Sequence, residues 1–153
     1  MDESGLASAL ELYVHGVTER TGLAIQLEVS EGFGRVSRDL ELVVFRLVQE
    51  CLTNIHRHSR SKSATIRLSR DDRSLTLEVR DKGQGISPKK LAEIHAGASG
   101  VGIRGMRERV RQFSGQMTLE SDSSGTRVHV TIPTKKAALQ QEDGSTQTSE
   151  AAV

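Results

Sequence analysis

Apolar residues recur along this chain with two periods, three to four residues in some stretches and two in others, and together they predict a mixed α/β domain. Leu6, Leu10, Tyr13, Val14 and Val17 stand at helical spacing between a capping Ser4 or Asp2 and a terminating Gly22. Leu23, Ile25, Leu27 and Val29 then alternate as in a half-buried strand, and EGFGR makes a loop before Ser37 caps a second helix. Ala64, Ile66 and Leu68, then Leu75, Leu77 and Val79, alternate on either side of DDRS, which is a hairpin. Ser87 and Pro88 open a short helix through about His95. Ile103, Met106, Val110 and Phe113 return to helical spacing until Gly115 ends the run, and a last hairpin turns over DSSG with Pro133 closing it.

The stretch Leu40 to Ser59, LELVVFRLVQECLTNIHRHS, carries two stripes rather than one. Leu40, Val43, Val44, Leu47, Val48, Cys51, Leu52 and Ile55 form the apolar face of a buried helix. Glu50, Asn54, Arg57 and His58 stack on one edge of the same helix, a set able to grip a metal–phosphate group. Taken alone, that edge is also what any surface helix shows, and its meaning depends on two glycine-bearing loops further on. One begins at a strand end, Asp81-Lys82-Gly83-Gln84-Gly85-Ile86; the other, AGASGVG at residues 96–102, is small enough to act as a mobile lid and leads into a helix containing Gly105. A helix N-terminus presents free N–H groups and a positive dipole end, so the Gly100–Gly105 segment suits phosphate oxygens.

Composition narrows the classes. The formal charge of +1 offers no general field for nucleic acid, and 3% aromatics leave few platforms for stacked bases. No run approaches the ~18 apolar residues of a membrane span, and no secretory leader is evident, so a cytoplasmic location is expected. The single Cys51 excludes an internal disulfide and a cysteine zinc site. His15 borders the first helical stripe and reads as a partly exposed structural residue, and Arg104, Arg107 and Arg109 read as a solvated face. From Lys135 the chain is polar and aperiodic, so residues 1–134 are expected to form one domain and residues 135–153 a disordered C-terminal tail.

In this order the motifs resemble the catalytic, ATP-binding domain of bacterial sensor histidine kinases, within the GHKL superfamily. QECLTNIHRHS is similar to that family's N-box, DKGQGI to its first glycine box, GVGIRGMRERV to its second and GTRVHVTIP to its closing strand. The form of the N-box, with a short lid and GMRER, resembles the subgroup paired with helix-turn-helix response regulators. The resemblance implies a two-layer α/β sandwich, a mixed sheet of about five strands with three main helices on one face.

It further implies that ATP and Mg²⁺ are the cofactors. Asp81 would take the adenine amino group, with Gly83 and Gly85 bending the loop beneath the base and Ile86 and Ile103 walling it. Asn54 would coordinate Mg²⁺, with Arg57 and His58 toward the phosphates and Glu50 orienting. Gly100, Gly102 and Gly105 would close over the triphosphate, and Thr126 would lie near the adenine. The implied activity is donation of the γ-phosphoryl group to a histidine of a separate dimerisation and phosphoacceptor domain, which nothing in this chain resembles, and thence to a response regulator. The domain by itself is expected to be monomeric and to touch neither nucleic acid nor membrane. An anti-sigma-factor-type serine kinase and a non-catalytic nucleotide-binding module are the alternatives.

Overall fold

The computed structural model describes residues 5–59, 61–83, 89 and 101–134. In chain order these form helix α1 (Gly5–Thr21), strand β1 (Ala24–Val29), helix α2 (Arg38–Asn54) running into a π-helical turn (Ile55–Ser59), strands β2 (Ser63–Arg70) and β3 (Ser74–Asp81), helix α3 (Val101–Gln112), and strands β4 (Gln116–Asp122) and β5 (Gly125–Pro133). The five strands make one sheet in the order β1-β2-β3-β5-β4. β1 and β2 are parallel, which demands a crossover, and α2 supplies it; the remaining pairs are antiparallel.

Register explains the two layers. Leu27, Ile66, Val79, Val128 and Leu119 lie in one row across the sheet, and Val29, Leu68, Leu77, Val130 and Met117 in the next. These rows share a single core with the inward stripes of all three helices, from Leu6 and Leu10 through Val44 and Leu47 to Met106 and Val110. The other face of the sheet is polar, and its strands are laced by ion pairs: Arg67 with Glu28 at 2.9 Å, and Arg127 with both Glu78 at 3.3 Å and Glu120 at 2.9 Å. The expected two-layer sandwich with helices on one face is therefore the observed architecture.

Local chemistry sets the element ends. The Ser37 hydroxyl accepts from the Leu40 N–H at 3.2 Å, the expected cap of α2. Asp71 accepts from the N–H groups of Arg73 and Ser74, closing the β2–β3 turn. At the end of α3 the expected stop is corrected in detail. Ser114, not Gly115, takes the left-handed position (φ 62°), and the bonds from Gly115 N–H to Val110 C=O and Ser114 N–H to Arg111 C=O complete a Schellman closure. Gly115 is required for a different reason, because a Cβ there would stand 2.6 Å from the Thr131 carbonyl oxygen.

Two anchors were not anticipated. Phe33, within a segment read as a plain loop, is buried in the core, and Arg70 lies over its ring while donating to the Phe33 and Arg35 carbonyls. Glu41, on the first turn of α2, is fully buried and gripped by Arg35. The first helix matches its expected span, with His15 exposed on it. The short helix through His95 and the tail from Lys135 fall outside the described residues.

Candidate functional site

Of the polar edge of α2, Glu50 and Asn54 fall on its last turns and are half-buried, whereas Arg57 is exposed on the π-helical turn that follows. The sequence had suggested one uninterrupted helix to Ser59. A π turn widens the spiral, so Arg57 no longer stands where a 3.6-residue period would put it. His58 lies on that turn, and its side chain is outside the described set. Among the described residues, the Asn54 carboxamide has no hydrogen-bond partner, leaving its oxygen uncommitted. Cys51 is buried beside this edge, and burial first, with the Glu50 charge second, pushes its thiol up to about 12. It is a packing residue at neutral pH.

Asp81 ends β3 and is 7% exposed, an unusual place for a carboxylate. Its Oδ1 accepts from the Gly83 N–H at 2.8 Å, so the carboxylate itself shapes the loop that follows. Its other oxygen has no partner among the described residues. The Ser61 hydroxyl, just before β2, receives the Lys82 N–H at 3.2 Å and pins the same loop. Gly85, Ile86 and Gly100 lie outside the described residues.

Thr126 is reached by register. β3 and β5 pair Val79 with Val128 and Arg80 with Arg127, so Thr126 comes alongside Asp81 on the inner face of the sheet. Between the strands, Gly125 holds φ 140°, and a Cβ added to it would collide with the Asp81 carbonyl oxygen. Only glycine allows this approach. Ser121 pairs with Thr126 on the far side, and their hydroxyls are 3.0 Å apart. Asp81, Ser121, Gly125 and Thr126 border an open polar hollow at this end of the sheet.

The third component, α3, packs against both α2 and β4. It begins at Val101, two residues earlier than expected, so Gly102 lies in its first turn rather than in a preceding loop and Gly105 in its second. Among the described residues, an added Cβ at Gly105 meets nothing within 4 Å. Gly102 and Ile103 belong to the helix, and the Ile103 side chain is not among those described. Arg104 and Arg109 are exposed, as expected of a solvated face; Arg107 is half-buried. Among the described residues no group of three or more His, Cys, Asp or Glu side chains could hold a metal, and no helix is long and apolar enough to cross a membrane.

The structure thus brings Asp81, Gly83 and Thr126 together at one end of the sheet, and sets α2, which carries Glu50 and Asn54, against β3 and α3. Ser121, which borders the same hollow, was not anticipated. Its only sequence signal is its place in the strand before the DSSG turn, and its partner becomes visible only once the hairpin register is known.

Fold and site define a two-layer α/β domain with a polar hollow at the ends of β3, β4 and β5. Residues 39–136 match the family of histidine kinase-, DNA gyrase B-, and HSP90-like ATPases, and the chain belongs to that family. It is 29% identical over 133 residues to the sensor histidine kinase MctS of Rhizobium johnstonii, covering 87% of this chain and 28% of that protein. It is 28% identical over 134 residues to the signal transduction histidine-protein kinase/phosphatase DegS of Brevibacillus brevis, covering 87% and 33%. The chain therefore spans about a third or less of these curated relatives.

Among solved structures, the histidine kinase domain of the Erythrobacter litoralis blue-light activated histidine kinase superposes with a TM-score of 0.72 at 20% identity, over 91% of this chain and 65% of that one. The Acinetobacter baumannii histidine kinase AdeS superposes with a TM-score of 0.62 at 15% identity, over 85% and 64%. These two likenesses concern the fold.

Proposed function

We propose that this domain, residues 1–134, binds ATP with Mg²⁺ and presents the γ-phosphoryl group to a histidine on a separate dimerisation and phosphoacceptor domain, from which it passes to a response regulator in two-component signalling. The observation that carries the reading is Asp81, a nearly buried carboxylate with one oxygen tied to Gly83 and the other uncommitted, beside Thr126. An ionised carboxylate only accepts hydrogen bonds. It therefore selects a ligand edge that donates, as the adenine amino group does, and its near-burial makes that one bond count.

Asn54 is the residue fitted to Mg²⁺, because its carboxamide is a neutral oxygen donor with no partner among the described residues. A single protein oxygen suffices, since Mg²⁺ retains waters and takes phosphate oxygens. The metal supplies charge neutralisation between the phosphates. Glu50, one turn earlier on α2, orients groups around it, and Arg57 and His58 extend the edge toward the triphosphate. The family resemblance assigns Gly85, Ile86 and Ile103 to the base. The family resemblance assigns Gly100, Gly102 and Gly105 to the phosphates, and among the described residues nothing lies within 4 Å of a Cβ added at Gly105. The protein's contribution is positioning and electrostatics rather than covalent chemistry.

Such a domain works in the cytoplasm, where ATP and response regulators are, and by itself is monomeric. Calorimetric titration with a non-hydrolysable ATP analogue, with and without Mg²⁺ and against the GTP counterpart, tests the reading. Adenine-selective binding strengthened by Mg²⁺ is expected; absence of binding at millimolar nucleotide would overturn it.

A further inference from the structure

Among the described residues two large apolar side chains are exposed, Leu12 at 76% and Leu42 at 47%, and they fall on neighbouring helices. α1 and α2 pack together, and the half-buried rings of Tyr13 and Phe45 meet edge to face between them, with centroids 5.4 Å apart. Leu12 is next to Tyr13 in the chain and Leu42 stands one turn before Phe45, so the rings floor a groove whose walls carry the leucines. One exposed leucine means little, but two joined through aromatic rings make a patch. We infer that this groove receives an amphipathic helix of a protein partner, with an apolar stripe and acidic flanks.

Charge identifies the occupant. Both helices start at one end of the fold, since a Cβ at Gly5, where α1 begins, would touch Arg35 and Glu41 beside the start of α2. Arg38 lies seven residues before Phe45, and Arg20 seven after Tyr13. Seven residues are two helical turns, which sets each arginine on the groove side of its helix, about 10 Å to either end of the aromatic pair. Arg20 folds back along α1, with Nη1 3.2 Å from where a Gly16 Cβ would be. Arg46, four residues past Leu42, is exposed on the same side.

Among the described residues none of these three guanidiniums has a hydrogen-bond or ion-pair partner. On the far face of the sheet, by contrast, Arg67, Arg80 and Arg127 are each paired with glutamates. Cations about 20 Å apart at the two ends of an apolar trough match a docked helix of about four turns with carboxylates along its flanks. A flat anionic membrane fits less well. The exposed Glu11, Glu19 and Asp39 share this helical surface and offset the arginines at long range, whereas a helix seated in the trough meets Arg20 and Arg38 at contact distance. The groove is also separate from the proposed nucleotide site, because Glu50 and Asn54, five and nine residues past Phe45, stand on the opposite flank of α2.

Tyr13 is the single tyrosine of a chain without tryptophan, so intrinsic fluorescence reports on the groove itself. The probe is a designed helical peptide of about four turns, free of Tyr and Trp, with leucines at helical spacing and glutamates on both flanks; its counterpart carries lysines in place of the glutamates. The Glu-flanked peptide is expected to change Tyr13 emission saturably and to bind about tenfold more tightly than the Lys-flanked one at low ionic strength. Leu12→Ser/Leu42→Ser should weaken it about tenfold. Arg20→Gln/Arg38→Gln/Arg46→Gln should erase the preference for glutamate over lysine. All five positions are exposed, so both variants should keep the wild-type urea midpoint and ATP-analogue affinity.

Equal binding of the two peptides, wild-type binding by the leucine variant, or no saturable change in Tyr13 emission would overturn the inference. Tighter binding to phosphatidylglycerol vesicles than to the Glu-flanked peptide would assign the patch to a lipid surface instead. Concentration-dependent dimerisation in sedimentation, abolished by Leu12→Ser/Leu42→Ser, would assign it to a second copy of this chain, and either result would overturn the inference as well.

Discussion

Glu41 has no solvent exposure, yet it carries a charge, and Arg35 is what makes this tolerable. The guanidinium Nε and one terminal nitrogen donate to the two carboxylate oxygens at 2.8 and 3.0 Å, a fork-on-fork geometry, and the Val36 N–H adds a longer bond at 3.4 Å. The pair also sits under the start of α1, where an added Cβ at Gly5 would run into the Arg35 stem. Arg35→Met would leave the carboxylate buried with, among the described residues, only the Val36 N–H as a hydrogen-bond donor. Removing one partner of a buried pair costs about 3–5 kcal/mol. The Arg35 side chain is 45% exposed, so water can take over part of its role. We therefore expect a loss of roughly 2–3 kcal/mol, with the lower end of the buried-pair range as its ceiling.

Equilibrium urea unfolding reads this as a midpoint lowered by roughly 0.7–3 M, given slopes of about 1–3 kcal/mol per M. The double variant Arg35→Met/Glu41→Leu removes both charges into similar volume and should return to within about 1 kcal/mol of the wild type. The pH dependence follows from the same contacts. The Arg35 hydrogen bonds, opposed by burial, hold the Glu41 carboxyl below its ordinary value of 4.5. A lowered folded value means that the stabilisation is complete above the ordinary value and is lost as pH falls through the lowered one. The wild type should therefore lose stability below about pH 4.5 more steeply than the double variant. An Arg35→Met cost under about 0.5 kcal/mol, or a double variant as unstable as the single, would refute the reasoning.

Asp81→Ala removes a charge-assisted hydrogen bond and should weaken ATP-analogue binding about ten- to a hundredfold by calorimetry; wild-type affinity would detach Asp81 from the base. Asn54→Ala should reduce affinity measured with Mg²⁺ more than affinity measured in chelator, whereas equal losses would make the α2 edge structural. Gly125→Ala forces a side chain against the Asp81 backbone at a left-handed φ, so it should cost roughly 1–3 kcal/mol in urea unfolding and weaken nucleotide binding together; a neutral result in both would mean that the hairpin yields freely.

What could be read from the sequence was whatever repeats locally. The stripe from Leu40 to Ile55 and the alternations of β2, β3 and β5 show themselves within a few residues, so elements and layers follow. Glu41 did not, because burial of a charge depends on Arg35, a loop residue with no periodic signature. Phe33 was hidden likewise, as one apolar residue between two glycines, made into core by Arg70 from a strand 37 positions on. The π turn after Asn54 has no hydrophobic period of its own. Asp81 was legible as a carboxylate at a strand end before glycines; Ser121 was not, since its meaning lies in a cross-strand neighbour.

That last contrast has a physical basis in how the sheet ends. Rows through Leu27, Ile66, Val79, Val128 and Leu119 and through Val29, Leu68, Leu77, Val130 and Met117 fill the space beneath the helices with apolar volume. One step beyond the first of these, the same inward positions are Ala64, Asp81, Thr126 and Ser121. Continuing the alternation with Val or Leu there would have extended the core and closed the hollow. Short side chains leave room instead, and their polar atoms need partners that the apolar neighbours cannot provide. The Gly83 N–H and the Ser121–Thr126 pair satisfy some of them, and among the described residues the second Asp81 oxygen has no partner. The proposed site is thus the place where the core pattern stops while the strands continue, and substituting Thr126 by a larger apolar residue should stabilise the fold in urea unfolding while weakening binding of the ATP analogue.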